Sequence, residues 1–183
     1  LYTADGRDVE MSVASTKAFY SQIAAGMLLA YGIAAEIPGA RTADDPEEQE
    51  VLAALAVLPA VLKATLEVRP QAAEAAQRYA VSRRYWALVG NGPNIISARE
   101  VRIKLSELCY KSIACDATED KKHIDLSSEP LILVCAAGLV GSTADDVGKE
   151  IAIFRAHKAA PIVIATEGAS EFTAAAHVIS VPE

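Results

Sequence analysis

Glu100, Lys104 and Glu107 are separated by four and three residues, the spacing that stacks side chains on one face of a helix. A carboxylate beside an ammonium, with a second carboxylate one turn on, can serve as an acid/base pair; the same spacing also describes a solvated surface ion pair. A second candidate is Val13-Ala14-Ser15-Thr16-Lys17, with two hydroxyls and a lysine at the expected start of a helix. Donors there would join the helix's free N–H groups to hold an anion or a sugar hydroxyl, or would simply cap the helix. A third is the turn Gly90-Asn91-Gly92-Pro93-Asn94, where glycine lets backbone approach a ligand closely. It matches neither the dinucleotide fingerprint nor the phosphate loop, and most strand-to-helix turns contain glycine. His123, in the polar run Glu119-Asp120-Lys121-Lys122-His123-Ile124-Asp125, has the titration range of a proton shuttle, or of a solvated histidine with no role.

Other reactive types carry less. His157 and His177 fall at a predicted helix end and strand start, and three dispersed histidines without HExxH spacing imply no metal site. Ser127-Ser128 and Ser142-Thr143 read as caps or turn formers, and no GxSxG nucleophile elbow is present. Cys109, Cys115 and Cys135 are an odd number with no CxxC pair, which fits a reducing compartment such as the cytoplasm. Cys109 and Cys115, in or near the same predicted helix, read as core residues.

The elements that must position these residues begin with a short extended segment over Val9 to Ala14. A helix follows from Ser15 or Thr16 to Tyr31, with Gly32 as its stop, apolar around most of its circumference and so expected to be buried on more than one side. Residues 36–46 read as a connector. A second helix starts at Asp45-Pro46 with Glu47 and Glu48 in its first turn, carries an apolar stripe at Val51, Leu55, Leu58, Leu62 and Leu66, and contains Pro59, a kink former. A short helix follows Pro70 and ends near Arg83. Thereafter strands and helices alternate. Strands are expected at Tyr85–Val89, 112–117, Leu131–Ala136, Pro161–Ala165 and His177–Val181. The helices between them run from Ile95 to Tyr110 and, with Asp145 and Asp146 in its first turn, from Thr143 to His157. Such alternation implies right-handed crossovers and a mainly parallel sheet, with ligands bound beyond the carboxyl ends of strands, in the loops after residues 89 and 136.

Composition narrows the classes. With 52% hydrophobic residues, 22% charged and a mean hydropathy of +0.22, the chain has too much apolar content for intrinsic disorder. No uninterrupted apolar run approaches ~20 residues, so a soluble globular chain with no membrane partner is expected. A formal charge of −7 with scattered basic residues speaks against nucleic acid as a partner. The first residue is Leu and no leader pattern follows, so the chain is expected to be a piece of a longer protein.

Taken in order, these segments resemble a known family. Val13-Ala14-Ser15-Thr16-Lys17-Ala18-Phe19 resembles the signature near the end of the first of two sugar-isomerase (SIS) domains in glutamine–fructose-6-phosphate aminotransferases (glucosamine-6-phosphate synthases). Gly90, Gly92, Glu100, Lys104, Leu105, Glu107, Tyr110, Lys122 and His123 fall on the positions of a stretch in the second SIS domain of that family. The resemblance implies a flavodoxin-like three-layer α/β/α sandwich preceded by helices from the end of another SIS domain. It divides the chain into a first-domain tail over 1–35, a helical connector over 36–83 and a second SIS domain over 84–183. By that resemblance Glu107 is the base that moves a proton between C1 and C2 of a sugar phosphate, with Lys104 beside it assisting at the sugar oxygens. His123 serves ring opening and comes from a partner subunit. Val13 and Ser15 contact the sugar, Glu100 is a supporting acid, and Thr16, Gly90 and Gly92 join the substrate-binding set. No metal or organic cofactor is implied. The implied ligands are fructose 6-phosphate and glucosamine 6-phosphate, and the implied partners are a second copy in a homodimer and a glutaminase domain that supplies ammonia.

Two local departures stand out: Ile124-Asp125 follow the histidine where the family has Gly-Pro, and Val101-Arg102 stand where the family has the smaller Gly-Ala, with the ionisable positions Glu100, Lys104 and Glu107 kept. By the same resemblance, the hydroxyl-rich phosphate loop would precede Leu1 and a Schiff-base lysine would follow Glu183, so the fragment alone is expected not to catalyse the full reaction. Two further readings stand beside the isomerase. One is a non-catalytic phosphosugar-binding module that regulates a partner; the other is a scaffold dimerising through the helix from Pro46 to Leu66. A sensor has no chemical need for a base, and the scaffold leaves the loop residues unexplained.

Overall fold

Apolar, β-branched runs bounded by turn formers become the strands of one sheet, and the longer Ala- and Leu-rich runs become helices. The computed structural model describes residues 14–39 and 45–182, which form two compact units dividing between Ala60 and Val61, inside a helix.

The first unit holds α1 (Thr16–Glu36) and most of α2 (Pro46–Leu66). The α2 start is as the sequence implies: Asp45 Oδ1 accepts the Glu47 N–H at 3.0 Å, Pro46 leads the first turn, and Glu47 and Glu48 sit at the positive end of the helix dipole. Within this unit the two helices line an apolar cleft of about 340 Å³ between Tyr20, Ile23 and Met27 on α1 and Val51, Leu55 and Leu58 on α2.

The second unit begins with the last six residues of α2, followed by α3 (Arg69–Ala75) and a wider π-type turn over Ala76–Ala80. Then come β1 (Trp86–Gly90), α4 (Asn94–Cys109), β2 (Ala114–Asp116), a one-turn helix α5 (Thr118–Lys121), a 3-10 turn (Leu126–Ser128), β3 (Leu131–Cys135), α6 (Gly141–Ala156), β4 (Ala160–Thr166) and β5 (His177–Val181). All pairings are parallel and the strand order is β2-β1-β3-β4-β5. Successive side chains alternate between faces. Val89, Ile132, Val134 and Val163 pack with Val147, Ile151 and Phe154 of α6. Leu131, Ile162 and Ile179 pack with Ala75 of α3, and Leu88 with Ala98 of α4. The result is a three-layer α/β/α sandwich with the flavodoxin-type strand order expected. The Tyr79 hydroxyl donates to the Ala176 carbonyl at 2.8 Å, and Gln71 Oε1 accepts the Ser180 N–H at 3.0 Å, tying α3 and its π turn to β5.

Several expectations need correction. Gly32 does not stop α1, which runs to Glu36; an isolated glycine lowers helix stability by only ~1 kcal/mol, and the stop comes where Ile37, ahead of Pro38, turns extended. Nor is α1 buried on several sides, since Ala18 is its only buried residue among those described. In α2 the shielded stripe follows Val51, Leu55 and Leu58 but then moves to Val61 and Thr65, leaving Leu62 and Leu66 exposed. α1 and α2 also reach mean hydropathies of 1.4 and 1.5 over 18 residues, long and apolar enough by length and composition to cross a membrane. Interspersed polar residues break every apolar run yet leave that average high. The helix near Pro70 ends at Ala80, not Arg83. α6 begins at Gly141, so Asp145 and Asp146 lie beyond its first turn. Cys109 is exposed at the end of α4, while Cys115 lies in β2, so only Cys135 of the three is fully buried.

Candidate functional site

The sequence candidates fall in three places. Val13 lies outside the described residues, as do residues 9–13 of the extended segment expected there. Ser15 stands at the start of α1 with a left-handed φ of 48°; its carbonyl accepts the Phe19 N–H at 3.1 Å, and its side chain does not cap the helix. Thr16 is exposed in the first turn. Both belong to the first unit.

On α4 in the second unit, Lys104 Nζ and Glu100 Oε1 meet at 2.8 Å, both half-buried. Glu107, one turn further along the same helix, is exposed and stands outside that pair. Helical spacing therefore produced the carboxylate–ammonium pair it promised, with a second carboxylate open to solvent beyond it. His123 lies elsewhere. It follows α5, where the chain leads into Leu126, which packs on the α6 face of the sheet; α4 covers the opposite face. A single copy thus does not bring His123 to Glu107 and Lys104.

The turn after β1 positions a further group. Gly90 is required by packing: a Cβ there would lie 2.5 Å from the Asn94 carbonyl oxygen and 2.6 Å from its carbon. Gly92 adopts a φ of +53°, a left-handed conformation that glycine takes without strain. Asn91 then bridges to α5, donating from Nδ2 to Thr118 Oγ1 at 2.6 Å and accepting the Thr118 N–H at 3.3 Å. Asn94 Nδ2 donates to the Ala137 carbonyl at 2.9 Å, and the Gly138 N–H donates to Thr166 Oγ1 at 2.8 Å, so the start of α4, the loop after β3 and the end of β4 are tied together.

These loops stand where the strand order reverses, beyond the carboxyl ends of β1 and β3, the usual ligand crevice of open α/β sheets. A cleft of about 380 Å³ lies there, lined by Asn91, Thr118, Glu119, Asp146, Lys149 and Glu150 among others. Lys122 Nζ links Glu119 Oε1 at 2.7 Å with Glu150 Oε1 at 3.1 Å. Burial pushes the Glu150 carboxyl above the usual carboxylate range, against the pull of Lys122, while the hydrogen bond from Lys122 holds Glu119 below it. Reading the run 119–125 as a polar loop missed this network. The Glu119–Lys122 pair has helical i,i+3 spacing, but nothing local signals the rest, because Glu150 arrives from α6 and Asn91 from the β1 turn. Among the described residues no group of histidine, cysteine and carboxylate side chains is arranged to hold a metal ion.

No family model matches the chain. Among characterised proteins it is similar to the isomerizing glutamine–fructose-6-phosphate aminotransferase of Thermus thermophilus, 33% identical over 177 residues covering 95% of this chain and 28% of that protein. The enzyme of the same name from Bordetella pertussis is 36% identical over 115 residues, 63% of this chain and 18% of the relative. The chain thus spans less than a third of the relatives it matches. In structure it resembles the C-terminal domain of glucosamine-fructose-6-phosphate aminotransferase from Francisella tularensis, with a TM-score of 0.72 at 20% identity over 95% of this chain and 48% of that one. The sugar isomerase domain of an RpiR transcription factor from Sphaerobacter thermophilus superposes with a TM-score of 0.52 at 13% identity, over 70% of this chain and 74% of that one. The fold is the SIS fold of these solved structures, and the sequence relatives are isomerizing glutamine–fructose-6-phosphate aminotransferases.

Proposed function

We infer that this chain, related in sequence and fold to the isomerase part of the glutamine–fructose-6-phosphate aminotransferases, is a phosphosugar-binding isomerase segment that takes part in converting fructose 6-phosphate to glucosamine 6-phosphate. The observation that carries this reading is an alignment running through almost the whole chain, helices and sheet alike, with enzymes of that name. The alternative of a non-catalytic sensor is the weaker one, because α4 retains a carboxylate, an ammonium and a second carboxylate at helical spacing.

In the proposed chemistry Glu107 is the base. Ketose–aldose interconversion removes a proton from one of two adjacent carbons and returns it to the other, and a single exposed carboxylate can do both. Lys104, its ammonium fixed by Glu100 at 2.8 Å, supplies positive charge for the oxygens that become negative as the proton leaves. Val13, Ser15, Thr16, Gly90 and Gly92 are proposed to contact the sugar phosphate. His123, on the other face of the sheet from α4, is proposed to act in the site of a second copy, which makes a homodimer the functional unit. A glutaminase domain in the same polypeptide, or one acting with it, would deliver ammonia. We assign the chain to the cytoplasm and read α1 and α2 as covered by protein, since the alignment with these enzymes extends through both.

The test is interconversion of fructose 6-phosphate and glucose 6-phosphate by the chain in its native polypeptide context. Glu107→Gln should abolish turnover while leaving the circular dichroism spectrum and the binding of glucosamine 6-phosphate in place; full turnover in that variant refutes the assignment of the base. Mixing Glu107→Gln with His123→Asn should restore about a quarter of the activity. Half the randomly mixed dimers are hybrids, and each hybrid has one intact site. No recovery on mixing would refute a shared site.

A further inference from the structure

On the α5 side of the β1–β2 edge lies a cavity of about 470 Å³, within the size range of small-molecule sites and separate from the residues assigned above. Its walls are mixed: Tyr85, Trp86 and Ile113 are apolar, Ser128 offers a hydroxyl, and Lys121 and Asp125 carry opposite charges. Lys121 is the unusual member, since it is only 3% exposed, and lysine is rarely buried without a partner. Among the described residues its ammonium makes neither a hydrogen bond nor an ion pair, although Asp125 borders the same cavity and Asp116 lies near enough to act on its charge. Asp116 in turn has a buried Oδ2 without a hydrogen-bond partner. Burial holds the Lys121 amine below its ordinary pKa, with the two carboxylates opposing that shift.

Two opposite charges on one cavity that attract without closing on each other leave a gap with a positive and a negative side. A simple anion would gain from Lys121 and lose to two carboxylates. A simple cation would face a buried ammonium. A molecule carrying both charges a few ångströms apart satisfies both, and the aromatic and aliphatic wall favours an apolar remainder. We propose that this cavity binds a free α-amino acid with an apolar side chain, its carboxylate on Lys121 and its ammonium on Asp125.

The proposal is independent of the isomerase reading, which uses other residues. Calorimetric titration of the purified chain with L-leucine and L-phenylalanine tests it, with N-acetyl-L-leucine, which lacks the ammonium, and L-leucinamide, which lacks the carboxylate, as comparison probes. At least one amino acid should bind below ~10 mM, with each comparison probe weaker by about tenfold or more. Lys121→Met and Asp125→Asn should each weaken binding by at least about tenfold with the fold intact by circular dichroism. No binding of either amino acid, or unchanged affinity in Lys121→Met, overturns the proposal. N-acetyl-L-leucine binding as well as leucine would make the cavity an anion site and overturn the zwitterion assignment. Should either variant fold poorly, the comparison probes on the unmodified chain still decide.

Discussion

Gly90 separates two explanations that the sequence leaves together: a glycine that lets a ligand approach, and a glycine that lets the chain pack. The structure favours packing in a way that can be priced. An added Cβ would sit 2.5 Å from the Asn94 carbonyl oxygen, about 0.9 Å inside ordinary contact at 3.4 Å, with the Asn94 carbon at 2.6 Å and the Ile95 nitrogen at 2.9 Å. All three are backbone atoms of the first turn of α4, so no side chain can swing aside. The turn must retreat, and Asn94 Nδ2 then pulls away from the Ala137 carbonyl that it now meets at 2.9 Å. Forced overpacking costs about 1–3 kcal/mol and a lost hydrogen bond about 1 kcal/mol, so Gly90→Ala should destabilise the second unit by roughly 3 kcal/mol. For a unit of this size that is a fall in Tm of roughly 10 °C. Gly92→Ala is the matched control: its Cβ would meet nothing within 4 Å, and the only penalty is a left-handed alanine, about 1 kcal/mol. Thermal melts followed by circular dichroism give both numbers. A Gly90→Ala melt no lower than that of Gly92→Ala would refute the packing argument and return Gly90 to the ligand-approach reading.

Other consequences follow from single contacts. Asn91→Ala removes both partners of the buried Thr118, a penalty of about 2 kcal/mol, which a urea midpoint measured beside wild type should show without a change in slope. With a maleimide near pH 8, Cys109 should label quickly because it is exposed, whereas Cys135, buried with its thiol pushed up to about 11, should label only after unfolding; peptide mass spectrometry distinguishes them. Lys121→Met should raise Tm at neutral pH. The folded state holds that amine's proton less tightly than the unfolded chain does, so the wild type regains stability as pH climbs toward the ordinary lysine value of 10.5, and the advantage of the variant should shrink over that range. An advantage that stays constant with pH would mean that desolvation of the charge is not its source.

Much of the second unit was legible because its signals are local. β3 and β5 are short apolar runs between turn formers, and His177–Val181 is the strand the pattern names. The Asp45-Pro46-Glu47-Glu48 start of α2 is readable for the same reason: a cap, a fixed φ and two charges act within one turn. What failed depends on distant chain. The apolar circumference of α1 implies burial only if something packs around it, and periodicity carries no information about that. Cys109 read as core, yet on the last turn of α4 it is exposed, at an apolar cleft that it lines with Leu105, Leu131 and Leu133 and that nothing else in the described residues fills. Lys121 sits in a run of charges that reads as solvated, yet it is buried beside a cavity shared with Ile113 and the start of β1, which lie distant in sequence and do not mark it from the sequence alone.

The candidate site divides along the same line. Glu100, Lys104 and Glu107 are neighbours because a helix makes them so, and the ion pair between the first two forms within α4 itself. His123 is only sixteen positions beyond Glu107 in sequence, yet the chain crosses the sheet edge through β2 between them. Helices on opposite faces of a parallel sheet are kept apart by the sheet and the side-chain layers on either side of it. Rotamer changes cannot close that gap, and moving α5 would break the Asn91–Thr118 and Lys122–Glu150 contacts that fix it. If both residues serve one reaction, the geometry requires two copies of the chain, each lending its histidine face to the other's α4. If a dimer does not form, His123 must belong to something other than proton transfer at Glu107.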